Sequence, residues 1–357
     1  CEAFRLKPEP PPAHTFMQRF DYFLKRLLLI APTFIGITFQ VMVLIQFIPG
    51  GPVEQAMMKM RGTDNAGGMG VGVVSEDQRE KLREYYGFDK SVIVQYKRWL
   101  WDYRIGLNMP SYSDPGKTAW ERTSDRFEVS LIFGITGFLL SYLICIPLGI
   151  IKALRHGSFF DFSSSVIVFI AYSIPAVALG LLLRMAFCGT NDWALNWFPV
   201  SGFRSEAYPT LSFFGKIVDV AHHMCLPLIC YVIGNFAVLT ILMKNSLIEQ
   251  VSSEYVKTAL AKGCTSNQAI WGHALRNALI PIVTGIGGIL TVMFAGSVII
   301  EQIFEIPGMG KLSLEAIEGR DYPVFMCILA LTSILGLLGN ILSDFCYVII
   351  DPRINFE

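Results

Sequence analysis

His222, His223 and Cys225 bring three metal-binding side chains into one short stretch. Structural zinc sites take four ligands, and no further ligand stands at a fixed spacing, so the trio is not assigned a metal. Phosphate chemistry also lacks its scaffold. There is no GxxxxGK[ST] loop, and GIGGIL at Gly285 lies inside an apolar run with no strand before it, unlike a dinucleotide-binding turn. No GxSxG elbow or HExxH helix supports hydrolysis. Asp344, placed among apolar residues, has no second carboxylate for acid–base chemistry. The chain is therefore read as non-catalytic, without a metal or a cofactor of its own. If ATP drives it, another chain binds the ATP.

The elements around these residues are those of a membrane protein. Hydrophobic residues make up 53% of the 357 and charged residues 16%, against roughly 25% charged in an ordinary soluble domain. Lys+Arg and Asp+Glu balance at 29 each, so net charge does not point to nucleic acid. Cys145, Cys230, Cys327 and Cys346 lie in apolar runs and read as packing residues. The first apolar run, from Leu27, is too long for the core of a cleavable signal.

Six runs reach the roughly 20 apolar residues that a spanning helix needs, at about 27–48, 129–151, 163–187, 224–244, 278–300 and 324–350. An even number puts both termini on one side. The N-terminal segment, the 152–162 and 244–277 loops and the tail hold twelve Lys and Arg, whereas the short loops opposite hold four. The inside-positive rule then places both termini and the 244–277 loop in the cytoplasm. The long 49–128 loop lies outside, and its charges are not counted because long loops translocate largely regardless of charge. Residues 1–16 are expected to form a flexible extension, with PEPPP at Pro8 to Pro12.

Only Arg184 and Asp344 place ionisable groups inside these runs, which argues against a proton- or ion-driven carrier. Pro147, Pro175, Gly285, Gly287 and Gly288 are read as sites of close helix packing and kinks.

Between the fourth and fifth spans lies a polar segment, SSEYVKTALAKGCTSNQAIWGHALRNALIP, Ser252 to Pro281. Ser252 or Ser253 can cap a first helix, with Glu254 at its positive end. Gly263 stands where a helix stops in the left-handed conformation. A second helix starts at Ser266 and carries Ile270, Trp271, Ala274, Leu275 and Ala278 at helical spacing.

In the external loop, Pro49 to Pro52 end the first helix and Asn65 to Gly72 is glycine-rich. Ser75 and Gln78 form a capping pair for a helix ending at Gly87, and Val92 to Tyr103 is an aromatic helical stretch with Tyr96, Trp99 and Trp101. These aromatics suit either packing over a pore mouth or the membrane interface. Pro307, Gly308 and Gly310 break the chain after the fifth span. Asp321 before Tyr322-Pro323 starts the sixth with a favourable charge.

EYVKTALAKG followed by HALRNALIP resembles the cytoplasmic loop of permease subunits of ABC importers of the oligopeptide and dipeptide type. YGFDKSVIVQYKRWLWDY, HxxLP at His223 to Pro227, PGMG with RDYP, and the terminal DPR resemble further segments of that family, across residues 20–357. The DPRI-F-E ending with PGGPV looks most like the microcin-C and antimicrobial-peptide uptake subgroup. One departure is Leu260, where members usually carry arginine.

The resemblance implies an all-α membrane protein with six transmembrane helices, a cytoplasmic coupling-helix hairpin and a large external loop between helices 1 and 2. Its divisions are a cytoplasmic extension 1–26, helix 1 at 27–48, an external region 49–128, a permease domain 129–350 containing coupling loop 246–277, and a cytoplasmic tail 351–357. Glu254, Tyr255, Thr258, Ala259, Lys262, Gly263, His273, Arg276 and Asn277 would then meet the ATPase. The implied partners are a second homologous permease, two cytoplasmic ATPase subunits carrying ATP and Mg, an external peptide-binding protein, a peptide substrate and the lipid of a bacterial inner membrane. Importers of dipeptides, nickel complexes or sugar acids share this loop, and a membrane enzyme or scaffold is the rival from another class.

Overall fold

A computed structural model describes residues 13–48, 51, 53–54, 57, 76–189, 195–288, 290 and 297–350. The loop segments Pro49–Gly50 and Asn65–Gly72, the Ser75 cap and the terminal DPR lie outside the described residues.

Helix α1, Ala13–Gln46, already runs through residues 13–26, ahead of the first apolar run. After it come α2, Glu76–Tyr86, ended by Gly87 at φ 75°, and α3, Val92–Lys97, which widens into a π turn at Arg98–Asp102. Short α4, Ala119–Ser124, leads into α5, Phe127–Leu154. Then follow α6, Phe159–Ser173, α7, Ala176–Phe187, and α8, Phe213–Val251. The polar hairpin holds α9, Glu254–Ala261, α10, Ser266–Ala269, a π turn at Ile270–Ala274, and α11, Leu275–Ala278. The chain continues through α12, Ile280–Val283, a 3-10 turn at Thr284–Gly287, α13, Val298–Ile303, α14, Met309–Glu318, and α15, Tyr322–Ile350.

Among the described residues four helices are long and apolar enough to cross a bilayer, α1, α5, α8 and α15; α6 and α7 together make a fifth if they count as one span. The third expected span, 163–187, is this bent pair, and Pro175, read as a site of packing or a kink, is where it breaks. The helices bend by 92° at Ile174-Pro175. Proline bars its predecessor from the helical region, and Ile174 accordingly sits at ψ 117°. The fifth expected span, 278–300, falls partly outside the described residues, and its described part is not one helix. Its 3-10 turn crosses α15 so closely that a Cβ on Gly287 would lie 2.0 Å from the Gly339 carbonyl oxygen. The Gly287 amide donates to Ser343 Oγ at 3.0 Å. Glycine there lets two backbones touch and leaves the freed amide a partner.

Helix α8, at 39 residues, is about 58 Å long, nearly twice the hydrocarbon thickness. It packs along α5, and this pair is the spine of the fold. Val129, Phe133, Met224, Leu226, Leu228 and Cys230 fill the core at one end, joined by Ile300, Phe304 and Ile306. Toward the hairpin, Ile150 meets Met243 and Leu247.

More ionisable groups are buried than the apolar runs foretold. Lys152, Asp161, Glu301 and Asp321 are buried, in addition to Asp344. Each stands at the end of a helix or beside a break, which is why the hydropathy of the runs passed over them. Arg184 bonds the Ile303 carbonyl and pairs with Glu305, and Asp344 pairs with Arg26. Glu301 accepts from the amides of Ser297 and Lys311 at 3.0 and 2.8 Å, holding the chain break after α13. His222 and His223 bond the carbonyls of Trp197 and Asp219.

Asp321 does more than the helix-start role assigned to it. Its carboxylate accepts from Ser111 Oγ, the amides of Tyr112 and Ser113, and Arg122, so it fastens the 98–126 segment to the start of α15. Beside it, Tyr96 and Trp99 are buried against Phe34, Ile45, Tyr322 and Met326, whereas Trp101 is exposed. The aromatic stretch thus divides between core and surface. Replacing Asp321 with alanine should cost about 2–3 kcal/mol, less than a fully buried pair because Arg122 reaches solvent. Hydrogen exchange should show 98–126 opening while α5 and α8 stay protected; unchanged protection would remove the fastening role.

Candidate functional site

The hairpin is built by local rules at every turn. Helix α8 ends at Ser252, and Ser253 takes the extended conformation of an N-cap at φ −73°, ψ 154°. Its hydroxyl donates back to the Gln250 carbonyl and does not cap α9. Glu254 supplies the first-turn carboxylate instead.

Helix α9 closes in a Schellman motif. The Cys264 amide reaches the Ala259 carbonyl at 3.1 Å and the Gly263 amide reaches Leu260 at 2.9 Å. Gly263 has φ 89°, the left-handed region, and a Cβ there would meet no atom within 4 Å. Glycine is needed for the backbone angle, not for space.

The second arm starts at Ser266, where the sequence places it. Thr265 is the cap, in a reciprocal box with Gln268. The π turn at Ile270–Ala274 then adds a residue to one coil. The buried stripe becomes Ala269, Ala274 and Ala278, and Trp271, one of the residues at helical spacing, is turned outward at 52% exposure. Sequence spacing missed this because it assumes a constant 3.6 residues per turn.

The three alanines and Val256 pack on Ile150, Met243, Leu247 and Ile282. Ser246 Oγ also donates to the Ala278 carbonyl at 2.8 Å. The hairpin is therefore seated on the ends of α5 and α8.

The residues singled out from sequence occupy two arms. On α9 and its cap, Glu254 pairs with Lys257 at 2.8 Å, Tyr255 donates to Gln250 Oε1 at 2.7 Å, and Thr258 donates to the Glu254 carbonyl at 2.9 Å. Ala259 is half-buried, while Lys262 and Gly263 are exposed. On the returning arm, Arg276 is exposed, and His273 and Asn277 are half-buried. Three large apolar side chains, Tyr255, Leu260 and Trp271, stand exposed on this polar hairpin. Exposed aromatic and apolar side chains on a polar segment match the enrichment seen at the cores of protein interfaces. Trp271 belongs in that set, and the signal for it was a tryptophan flanked by Gly272 on a segment outside the apolar runs.

Replacing Gly263 with valine should strain the left-handed position by about 1–3 kcal/mol, whereas asparagine should be nearly neutral. Hydrogen exchange across 252–281 separates the two. Equal protection in both variants would mean that the turn tolerates a branched side chain.

A family model for the binding-protein-dependent transport system inner membrane component matches residues 145–356. The chain is 35% identical over 360 residues to a peptidoglycan transport system permease protein, YejB, of Agrobacterium fabrum, covering 94% of this chain and 98% of that one. It is 32% identical over 335 residues to the oligopeptide transport system permease protein AppB of Bacillus subtilis, with 94% and 99% covered. It is also 32% identical over 356 residues to the dipeptide transport system permease protein DppB of Escherichia coli, again with 94% and 99% covered.

Proposed function

The chain belongs to the family of binding-protein-dependent transport inner membrane components, and from that membership we propose that it is the membrane subunit of an ATP-binding-cassette importer for peptides. The observation that carries the reading is the near full-length similarity to permeases of systems named for peptidoglycan, oligopeptides and dipeptides. The shared chemistry of those names is the peptide bond. Within the family we assign the chain to the antimicrobial-peptide uptake subgroup, on PGGPV and the DPRI-F-E tail.

In this reading six segments cross a bacterial inner membrane, both termini and the hairpin face the cytoplasm, and residues 49–128 lie outside. A second, similar permease completes the pore, and an external peptide-binding protein delivers the substrate. Two cytoplasmic ATPase subunits hold ATP and Mg and carry out the hydrolysis. The hairpin docks on one of them through Tyr255, Leu260 and Trp271, with Glu254, Thr258, Lys262, Arg276 and the half-buried Ala259, His273 and Asn277 around that centre. Leu260 supports an apolar contact where relatives of this type carry a charge.

Closure of the ATPases displaces the docked hairpin. Its helices are capped at both ends of the turn and seated on α5 and α8, so the displacement reaches the spans instead of dissipating in the loop. Alternating access of the cavity follows from that movement.

Glu254 has an 87% exposed side chain, so Glu254→Lys should weaken the start of α9 by no more than about 1 kcal/mol and leave membrane insertion unchanged. Reversing that charge in a docked interface should lower peptide uptake and peptide-stimulated ATP hydrolysis by at least about tenfold. Full stimulation in the variant would sink the docking assignment. Competition uptake with dipeptides, longer peptides, peptidoglycan fragments and nickel complexes tests the substrate class. Inhibition by metal complexes and by none of the peptides would overturn the peptide reading.

A further inference from the structure

One carboxylate joins three helices beside the hairpin. Asp161, near the start of α6, is buried, and Lys244 Nζ of α8 lies 2.7 and 2.8 Å from its two oxygens. Lys152 of α5 is fully buried; its Nζ lies 3.2 Å from Asp161 Oδ1. The same ammonium donates to the Asp161 carbonyl at 2.9 Å and to the hydroxyls of Ser164 and Ser165 at 2.7 and 2.8 Å. The Gly157 amide and His156 Nδ1 complete the set around Oδ2. Two lysines share one acid, and every donor of the buried ammonium is used, which is what makes a buried charge tolerable.

The placement of this cluster matters because α6 has little else to hold it. Of its fifteen residues only Asp161 and Val168 are buried. Phe159, Phe162, Ile167, Phe169, Ile170 and Tyr172 are all exposed. Beyond Val168 and a few half-buried residues, the ionic cluster is therefore the buried attachment of α6 to α5 and α8. On the other side, Lys152 stands two residues beyond Ile150, and Lys244 follows Met243. Ile150 and Met243 share one core with Val256, Ala269, Ala274 and Ala278 of the hairpin. The hairpin and the ends of α5 and α8 form one packed body, and Asp161 ties α6 to it. Beyond α6 the chain turns 92° into α7, whose Arg184 reaches the Ile303 carbonyl and Glu305.

We propose that Asp161, held between Lys152 and Lys244, is the joint that carries hairpin displacement into the bent helix pair α6–α7. This rests on the importer reading and deepens it. Asp161 is a positioning residue: it sets where α6 goes when α8 and the hairpin move. Two cations give the joint tolerance, since Lys152 alone neutralises Asp161 when Lys244 is gone, while the link from α6 to α8 is lost.

The test uses the whole importer with its ATPase subunits, in vesicles, comparing the wild type with Lys244→Met, Asp161→Asn and the double variant. Lys244→Met strands no buried charge and should insert and assemble as the wild type does. The ATP hydrolysed per peptide imported should rise about tenfold, the size of a typical coupling between sites. Adding Lys244→Met to Asp161→Asn should raise the ratio no further, because Lys244 acts through Asp161. Spin labels carried by non-canonical residues at positions 162 and 267, outside the docking set, should keep one distance through the ATP cycle in the wild type and a broadened one in Lys244→Met. A wild-type ratio and an unbroadened distance in Lys244→Met would overturn the joint. So would poorer assembly with an unchanged ratio, the mark of a cluster that only stabilises. A wild-type complex that imports no peptide when given ATP would overturn the importer reading itself, and the joint with it.

Discussion

The packing of α5 along α8 is the contact from which the rest of the molecule follows. Both helices bury small or apolar residues over most of their length, from Val129 and Phe133 against Met224 at one end to Ile150 against Met243 at the other. Because α8 is far longer than the hydrocarbon is thick, it carries this packing beyond the membrane and offers a surface for the hairpin. The hairpin needs that surface. Its helices are too short to be stable alone, and they hold their shape because Val256 and three alanines are buried on the spine.

Away from the spine, polar groups are placed where the backbone breaks. Hydrocarbon gives an orphaned amide or carbonyl no partner, so each interruption must be answered within the protein. Ser343 meets the Gly287 amide, Ser246 meets the Ala278 carbonyl, and Glu301 takes the Ser297 amide at the start of α13 and the Lys311 amide at the start of α14. Asp321 does the same for the 111–113 turn, and Asp161 for the corner between α5 and α6. The breaks in the chain and the buried charges are thus two sides of one arrangement.

Much of the hairpin was legible in the sequence because its signals are local. Gly263 stops one helix through its own backbone angle, and a carboxylate at Glu254 starts it; neither needs a distant partner. The second start at Ser266 was legible too, but its cap was not: Thr265 and Ser266 can both cap, and only the reciprocal bond with Gln268 decides between them. Trp271 shares the helical spacing of Ala274 and Ala278 yet is exposed. The π turn depends on how three alanines seat against α5 and α8, which no residue within the turn announces.

The sequence by itself determined that this is a helical membrane protein, that a polar hairpin interrupts its apolar runs, and that the chain has no phosphate loop of its own. These follow from composition, hydropathy and short spacings, which act over one or two helical turns. Only the tertiary structure decided which face of the hairpin is free, that the third apolar run turns through 92° at Pro175, and that Lys152, Asp161 and Lys244 meet. Lys152 and Lys244 are 92 positions apart in the chain and look like ordinary inside-positive flanking charges. What turns them into a buried pair around one carboxylate is the close approach of α5 and α8, a property of the packed helices and of no single segment.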